Sequence, residues 1–408
     1  MAWGGDLVES GVSVTLDIAT LSFVVTLVML VASISLIVHW LANISIGGLG
    51  EVSRGVVALS FGNCVLFANP LDGGTSVALF GETLILIGYM WVWLGISDFW
   101  EVRQPRIVLL ASSLVLLAVS LLVYKTVTGD DIIGRSTTLA LFISALSVGI
   151  VLTLVHALGG QAGFYKGIVR RTTVGVGVAA GLFVIHALYG LYQALVLNDI
   201  MVGMIGPSIP LYAVTHLEAL VFVMILVMAI IIMTAERLQA ELKIQEMMDP
   251  LTRALNRRAF LEVMKAVLAR ARRLAEPVSL LMVDIDRFKR INLKHGRAIG
   301  DKALAEFVDL VMEGRRNQDV FCRFGGEEFV LMLPGTPEEG VDLVAARVKA
   351  RIENMALMPN GVPIKLTVSM GVVTARGDDL DADGMLDVVD RRTLRAQKLR
   401  FEKIESAG

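Results

Sequence analysis

Long apolar runs broken by few charges fill residues 16 to 234, and they constrain the fold more than any other feature of this chain. A helix that crosses a bilayer needs about 20 consecutive apolar residues. In lipid each backbone N–H and C=O must be bonded within its own segment, so such runs fold as helices. Candidate spans lie at 16–40, 50–70, 76–99, 106–124, 136–158, 173–196 and 210–234. Arg54, Asn63 and several glycines interrupt the second. Seven spans are expected, with six as the alternative. Over the 408 residues, 55% are hydrophobic, an excess that lies in this first half. Residues 235 to 408 have the charged make-up of an ordinary globular domain.

Cytoplasmic loops keep an excess of Lys and Arg, which orients such a bundle. With the N-terminus outside, the cytoplasmic loops carry Arg54, then Arg103 and Arg106, then Lys166, Arg170 and Arg171. The outer segments carry Lys125 and Arg135 beside Asp130 and Asp131, and the outer tail has Asp6 and Glu9 without a basic residue. An odd number of spans then places residues 235 to 408 in the cytoplasm. The first run is too long for a signal-peptide core and lacks a preceding Lys or Arg, so no cleaved signal is expected. A formal net charge of −2 does not suggest nucleic acid as a partner. Cys64 and Cys322 lie in different halves without metal-knuckle spacing and read as small apolar residues.

Ionisable residues inside a span mark either function or bonding between helices. Glu82, His156, His186, His216 and Glu218 are of this kind. One reading builds a buried ligand, metal or proton-sensing site from Glu82, His186, His216 and Glu218. The other, favoured because no paired metal-ligand spacing is present, is interhelical hydrogen bonding. Trp91, Trp93 and Trp100 read as interfacial anchors. Residues 235–248 lack Gly and Pro and continue the last span as a helical linker. Leu238 and Leu242 share a face there, as in a short coiled-coil seam or a plain connector.

In the second half, Val278 to Asp286 reads as a buried strand ending in two carboxylates, Asp284 and Asp286. A helix follows, with Phe288, Ile291, Leu304 and Phe307 on its apolar side. Phe321–Phe324 and Phe329–Leu333 read as strands joined at Gly325-Gly326, a hairpin signal. Lys365 to Val373 is another strand, and Pro337–Asn354 and Leu386–Phe401 are helices. Hairpins mixed with helices predict an α/β (α+β) domain with a mixed sheet. If Asp284 and Glu327 meet across neighbouring strands, few hard oxygen ligands suit magnesium, which shares its coordination with substrate phosphates. Lys289 can neutralise phosphate charge, and the glycine turn offers backbone N–H groups. Together these parts suit phosphoryl or nucleotidyl transfer.

These residues resemble the GGDEF domain of diguanylate cyclases, in the variant spelled Gly-Gly-Glu-Glu-Phe, over residues 249–408. Asp249-Pro250-Leu251-Thr252 and Leu255-Asn256-Arg257-Arg258 are similar to the family's opening motif. Asp284-Ile285-Asp286, Phe288-Lys289, Ile291-Asn292, Gly300-Asp301 and Thr367-Val368-Ser369-Met370-Gly371 match further motifs. The resemblance implies a palm-like nucleotidyl-cyclase sheet with flanking helices, after a sensor domain at 1–234 and a signalling linker at 235–248. It implies condensation of two GTP into cyclic di-GMP with release of pyrophosphate, across a homodimer. Asp284, Glu327 and the carbonyl of Ile285 would hold Mg2+, or Mn2+ in its place. Glu327 or Glu328 would help deprotonate the ribose hydroxyl, and Lys289 would stabilise transition-state charge. Gly325 and Gly326 would admit the phosphates, Asn292 and Asp301 would read guanine, and Arg297 and Lys398 would join the substrate site. Arg316 and Asp319 fall where the family places its RxxD inhibitory product site, and Arg347 and Arg270 match its secondary arginines. The implied location is the bacterial inner (cytoplasmic) membrane, multi-pass, with lipid around the first domain.

Several positions depart from the family pattern. Leu293 replaces Asp, Arg297 replaces His, and Arg253 replaces Gly. The last helix usually carries a Lys and an Arg that contact phosphates, where this chain has Gln397 and Phe401. Lys398 and Arg400 sit one residue off, about 100° around a helix. An active, membrane-tethered cyclase gated by its membrane half is the leading reading. The alternative is a catalytically degenerate domain that binds GTP or cyclic di-GMP as a receptor. A transporter reading finds no internal repeat or broken-helix pair.

Overall fold

A computed structural model describes residues 18–68, 75–102, 104–129, 132–159, 174–197, 211–354, 357–379 and 381–405. Asp6, Glu9, Arg103, Asp130, Asp131, Lys166, Arg170 and Arg171, used above for orientation, lie outside the described residues. The described residues form two compact units, which divide in sequence between Arg237 and Leu238.

Helices make up the first unit: α1 Ile18–Ala42, α2 Leu49–Ala68, α3 Thr75–Phe99, α4 Pro105–Val127, α5 Ile132–Gly159, α6 Val174–Leu197 and the start of α7 Leu211–Met247. Six of these, all but α2, are long and apolar enough to cross a membrane. Glu51, Arg54 and Asn63 lower the hydropathy of α2, which is long enough. Phe23, Leu30, Leu109, Leu116, Leu152 and Ile185 face outward, an apolar surface that matches lipid tails.

Glycines let α2 and α3 approach closely. Gly48, Gly55 and Gly62 meet Gly95, Gly88 and Gly81 in antiparallel order. A Cβ on Gly55 would lie 2.8 Å from the Gly88 carbonyl oxygen, and one on Gly62 would lie 2.8 Å from that of Gly81. A side chain at either place would push the helices apart, so backbone meets backbone. Trp93 is no interfacial anchor: it is 3% exposed, and its indole N–H donates to Thr153 Oγ1 at 2.8 Å. A buried Trp needs such a partner, which α5 supplies.

The second unit is a five-stranded sheet with helices on both faces. Its elements are β1 Leu255–Asn256, α8 Arg257–Leu274, β2 Val278–Ile285, α9 Phe288–His295, α10 Arg297–Met312, β3 Val320–Arg323, β4 Glu328–Pro334, α11 Glu338–Asn354, β5 Val368–Ala375 and α12 Ala382–Glu405. Strand order is β1-β3-β4-β2-β5. β1 runs parallel to β3, and the other pairs are antiparallel. Alternate residues of β2 face opposite sides. Leu281, Val283 and Ile285 join Phe288, Leu304, Phe307, Val341 and Val348 in one core. Leu280 and Met282 join Phe260, Met264, Met385 and Val389 in the other. Each fully buried Phe or Leu contributes about 2 kcal/mol.

Several expected boundaries moved, the last helix starting at Ala382 rather than Leu386. The single helix after Asp286 is two helices, broken at Gly296, whose φ of 84° lies in the left-handed region. The last strand starts at Val368 rather than Lys365. The two-residue β1 carries too little pattern to announce a strand.

Candidate active site

Antiparallel pairing sets Asp284, near the end of β2, opposite Glu328, the first residue of β4. The Ile285 N–H donates to the Glu327 carbonyl at 3.2 Å. The two adjacent acids of the glycine run are thus brought to the β2 carboxylate, at one end of the sheet. Asp284 is 9% exposed. Burial, then the charges of Glu327, Glu328, Asp286 and Asp390, push its carboxyl up to about 7. Burial and Glu328 also raise Glu327. Carboxylates crowded in this way repel one another, and a hard divalent cation relieves that repulsion. Ser369 Oγ donates to Asp286 Oδ1 at 2.7 Å, which ties the end of β2 to β5.

The hairpin forms between Arg323 and Glu328. Neither Gly325 nor Gly326 has a positive φ, so these glycines do not serve a left-handed turn. A Cβ on Gly325 would collide with the Glu328 carboxylate, and Gly326 faces open space. The turn closes as the Phe324 and Gly325 N–H groups donate to the Glu328 carbonyl at 2.8 and 3.1 Å. Arg323 braces it, donating from Nη2 to the Gly326 carbonyl at 2.8 Å and from Nη1 to Asp249 Oδ1 at 3.0 Å. Asp249 also accepts from Thr252, N–H at 2.9 Å and Oγ1 at 2.8 Å. Burial raises Asp249, but the Thr252 and Arg323 bonds prevail and hold it below the usual carboxylate range.

Lys289 is the second residue of α9 and is exposed. Asn292 follows on that helix, with Oδ1 buried and without a partner among the described residues. Gly300 packs against it, and any Cβ there would strike Asn292 Oδ1. Asp301 comes next on α10, half-buried, while Arg297 opens that helix and is exposed. On α12, Gln397 Nε2 donates to Asp284 Oδ1 at 3.2 Å. Lys398 is exposed. The side chains of Arg400 and Phe401 lie outside the described residues.

A cavity of about 510 Å³ is lined by Arg316, Asp319, Arg347, Gly314, Leu343 and Pro337, among others. The Arg316 N–H donates to Asp319 Oδ2 at 2.7 Å, and Arg347 Nη2 donates to the Gly314 carbonyl at 3.2 Å. Burial raises the Asp319 carboxyl against the pull of Arg316, Arg315 and Arg347. Arg270 is exposed on α8 and is not among the residues lining this cavity.

The sequence of residues 246–403 matches the family described as diguanylate cyclase, GGDEF domain. This segment is a GGDEF domain. Diguanylate cyclase A of Treponema denticola is 37% identical over 116 residues, 28% of this chain and 31% of that protein. Diguanylate cyclase DosC of Escherichia coli K12 is 31% identical over 159 residues, 39% of this chain and 34% of that protein. The match thus spans about a third of the length of these relatives. The crystal structure of the GGDEF domain of DgcB from Caulobacter crescentus in complex with c-di-GMP aligns at 22% identity and a TM-score of 0.35, over 38% of this chain and 88% of that one.

Two contacts within the GGDEF domain escaped the reading of the sequence. Arg323 lies inside the glycine run, yet its brace to Asp249 joins residues 74 apart in the chain. The reach of Gln397 to Asp284 spans 113 residues. No local spacing encodes either one.

Proposed function

We propose that this chain is a membrane-bound diguanylate cyclase that condenses two GTP into cyclic di-GMP and two pyrophosphates. The observation that carries this reading is the convergence of Asp284, Glu327 and Glu328 beside the Gly325-Gly326 turn. Asp284, Glu327 and the Ile285 carbonyl would hold Mg2+ or Mn2+, and the mutual repulsion of these carboxylates fits a divalent ion. Bound there, the ion would screen the triphosphate and polarise the reacting phosphate. The chain's own groups do the rest. The glycine turn leaves room for phosphate oxygens, and Lys289 neutralises charge that develops on them. Glu327, with its raised carboxyl, or Glu328 takes the proton of the attacking ribose hydroxyl. Asn292 and Asp301 present acceptor and donor edges to guanine, the unmet Asn292 Oδ1 supporting this role. A second copy of the chain brings the other GTP.

Residues 1–234 form a sensor domain in the bacterial inner membrane, with α2 as a seventh span and the GGDEF domain cytoplasmic. Arg135 supports that orientation, because its Nη2 is 2.7 Å from Glu82 Oε2 and adds no free positive charge to the outer face. Arg316, Asp319 and Arg347 form the product-inhibition site, without Arg270, which does not line that cavity, a guanidinium being suited to guanine stacking and phosphate. The receptor reading draws on one observation: Gln397, not a lysine, faces Asp284.

Purified full-length chain with GTP and Mg2+ decides between the two. Cyclic di-GMP is expected, and Glu327→Ala abolishes it. A dimer that binds GTP and yields no product would establish the receptor reading instead.

A further inference from the structure

A cavity of about 410 Å³ lies within the first unit, between α1, α2, α3, α5, α6 and α7. Ligand pockets usually measure roughly 300–1,000 Å³. Part of its polar lining comes from one end of the helices: Asn63 late in α2, Thr75 at the start of α3, Arg135 early in α5, Gln193 late in α6 and Thr215 early in α7, while Tyr89 and His186 line it from mid-helix. Met29, Leu59, Ile85, Ile143 and Phe222 line the apolar part.

The ionisable groups in this wall bond one another in pairs. Arg135 Nη2 meets Glu82 Oε2 at 2.7 Å, with both side chains under 10% exposed. His186 Nδ1 meets Glu218 Oε1 at 2.5 Å, while its Nε2 bonds the Tyr89 hydroxyl. His186 also stacks on Phe222, ring centroids 4.1 Å apart. The remaining polar groups, Asn63, Thr75, Ser136, Tyr189, Gln193 and Thr215, are neutral. Arg135 Nε, buried and without a partner among the described residues, adds an unmet donor to the same wall. His216 is not among the lining residues, and no group of three or more metal-ligating side chains occurs among the described residues. A guest with a net charge would lose its hydration and find Arg135 already paired with Glu82 and Glu218 already bonded to His186. A neutral head can exchange water for the uncharged hydrogen-bonding groups, while its tail covers the apolar wall.

We propose that this cavity binds a small uncharged amphiphile, with a hydroxyl or carbonyl head at the polar end and an apolar tail among Met29, Leu59 and Ile143. Thr215, Glu218 and Phe222 all sit on α7, which continues to Met247, so occupancy bears on the helix that leads into the GGDEF domain.

Three probes with one tail and three heads test this: 1-nonanol, nonanoate and nonylamine. The full chain is held in lipid nanodiscs at pH 8, and labelled 1-nonanol binding is measured with uptake by empty nanodiscs subtracted. Saturable binding of one nonanol per chain is expected, with nonanoate and nonylamine competing about tenfold or more less well, a gap of about 1.4 kcal/mol. Ala219→Phe fills the cavity and should abolish the saturable component while thermal unfolding stays cooperative. Ala78→Leu is the second filling variant, read in the same way if the first does not fold. No saturable binding, equal or better competition by a charged head, or full binding by a folded filled variant would overturn the proposal. None of these readouts depends on cyclase activity.

Discussion

Gln397 donates its amide N–H to Asp284 Oδ1 at 3.2 Å, which sets a neutral side chain where a cation would face the carboxylate cluster. The contact neutralises nothing, and Asp284 keeps a carboxyl raised to about 7. On the proposed function, a triphosphate would carry several negative charges into this place. We expect Gln397→Lys to raise kcat/KM for GTP about fivefold or more, chiefly through KM, since one partly screened ion pair contributes about 1 kcal/mol. Steady-state kinetics at saturating Mg2+ checks this. A drop in activity would mean that the new ammonium pairs with Asp284 and competes with the ion.

The raised Asp284 carboxyl also predicts how stability varies with pH. Its folded value is about 7, against about 4 in an unfolded chain. Between these limits the folded state holds a proton that the unfolded state has released. Unfolding free energy of the metal-free protein therefore falls as pH rises from about 4 to about 7, and this contribution is level outside that window. Asp284→Asn should flatten the slope, and Mg2+ should reverse it by binding the ionised form. Urea midpoints from pulse proteolysis of the full chain, in EDTA and in Mg2+, give the measurement. An unchanged slope in Asp284→Asn would place the titration elsewhere.

In the cavity proposed to bind product, Arg316 is exposed while its backbone N–H holds Asp319. Arg316→Ala should therefore leave the turn intact and remove only the guanidinium. The concentration of cyclic di-GMP that halves the rate should rise about tenfold or more, the loss of one charge-assisted contact of about 1.5–3 kcal/mol. The initial rate without product should not change. Unaltered inhibition would count against this cavity as the inhibitory site.

The parts of the GGDEF domain that were legible in the sequence are those carried by local pattern. The eight-residue run ending at Ile285 is apolar enough to be a buried central strand. Gly325-Gly326 marked the hairpin, although the glycines serve the close approach of Glu328 rather than a positive φ. Contacts that depend on the packing of distant elements were not legible, as with Arg323 to Asp249 and Gln397 to Asp284. In the first half, hydropathy marked the helices but hid their partners. Trp93 looked like any interfacial Trp until Thr153 was placed beside it. The glycine stripe was present in the sequence at a spacing of seven, Gly48, Gly55 and Gly62 against Gly81, Gly88 and Gly95. It passed as a weakness of the second span, because glycine lowers hydropathy whether or not it packs.

That stripe gives the last prediction. A Cβ on Gly88 would lie 2.7 Å from Leu59 Cγ and 2.9 Å from the Gly55 carbonyl oxygen, so neither a side chain nor the backbone can yield cheaply. Gly88→Val should force α2 and α3 apart and cost about 1–3 kcal/mol, as overpacking in a close-packed interior does. Gly181 on α6 provides the control, with nothing within 4 Å of an added Cβ. Gly181→Ala should be neutral or slightly stabilising, since Ala is the better helix former by about 1 kcal/mol. Thermal unfolding of the two variants in the same detergent separates these outcomes. If Gly88→Val melts with the wild type, then α2 and α3 are not held backbone to backbone. If both variants melt early, the unit is sensitive to any added carbon and the stripe has no special role.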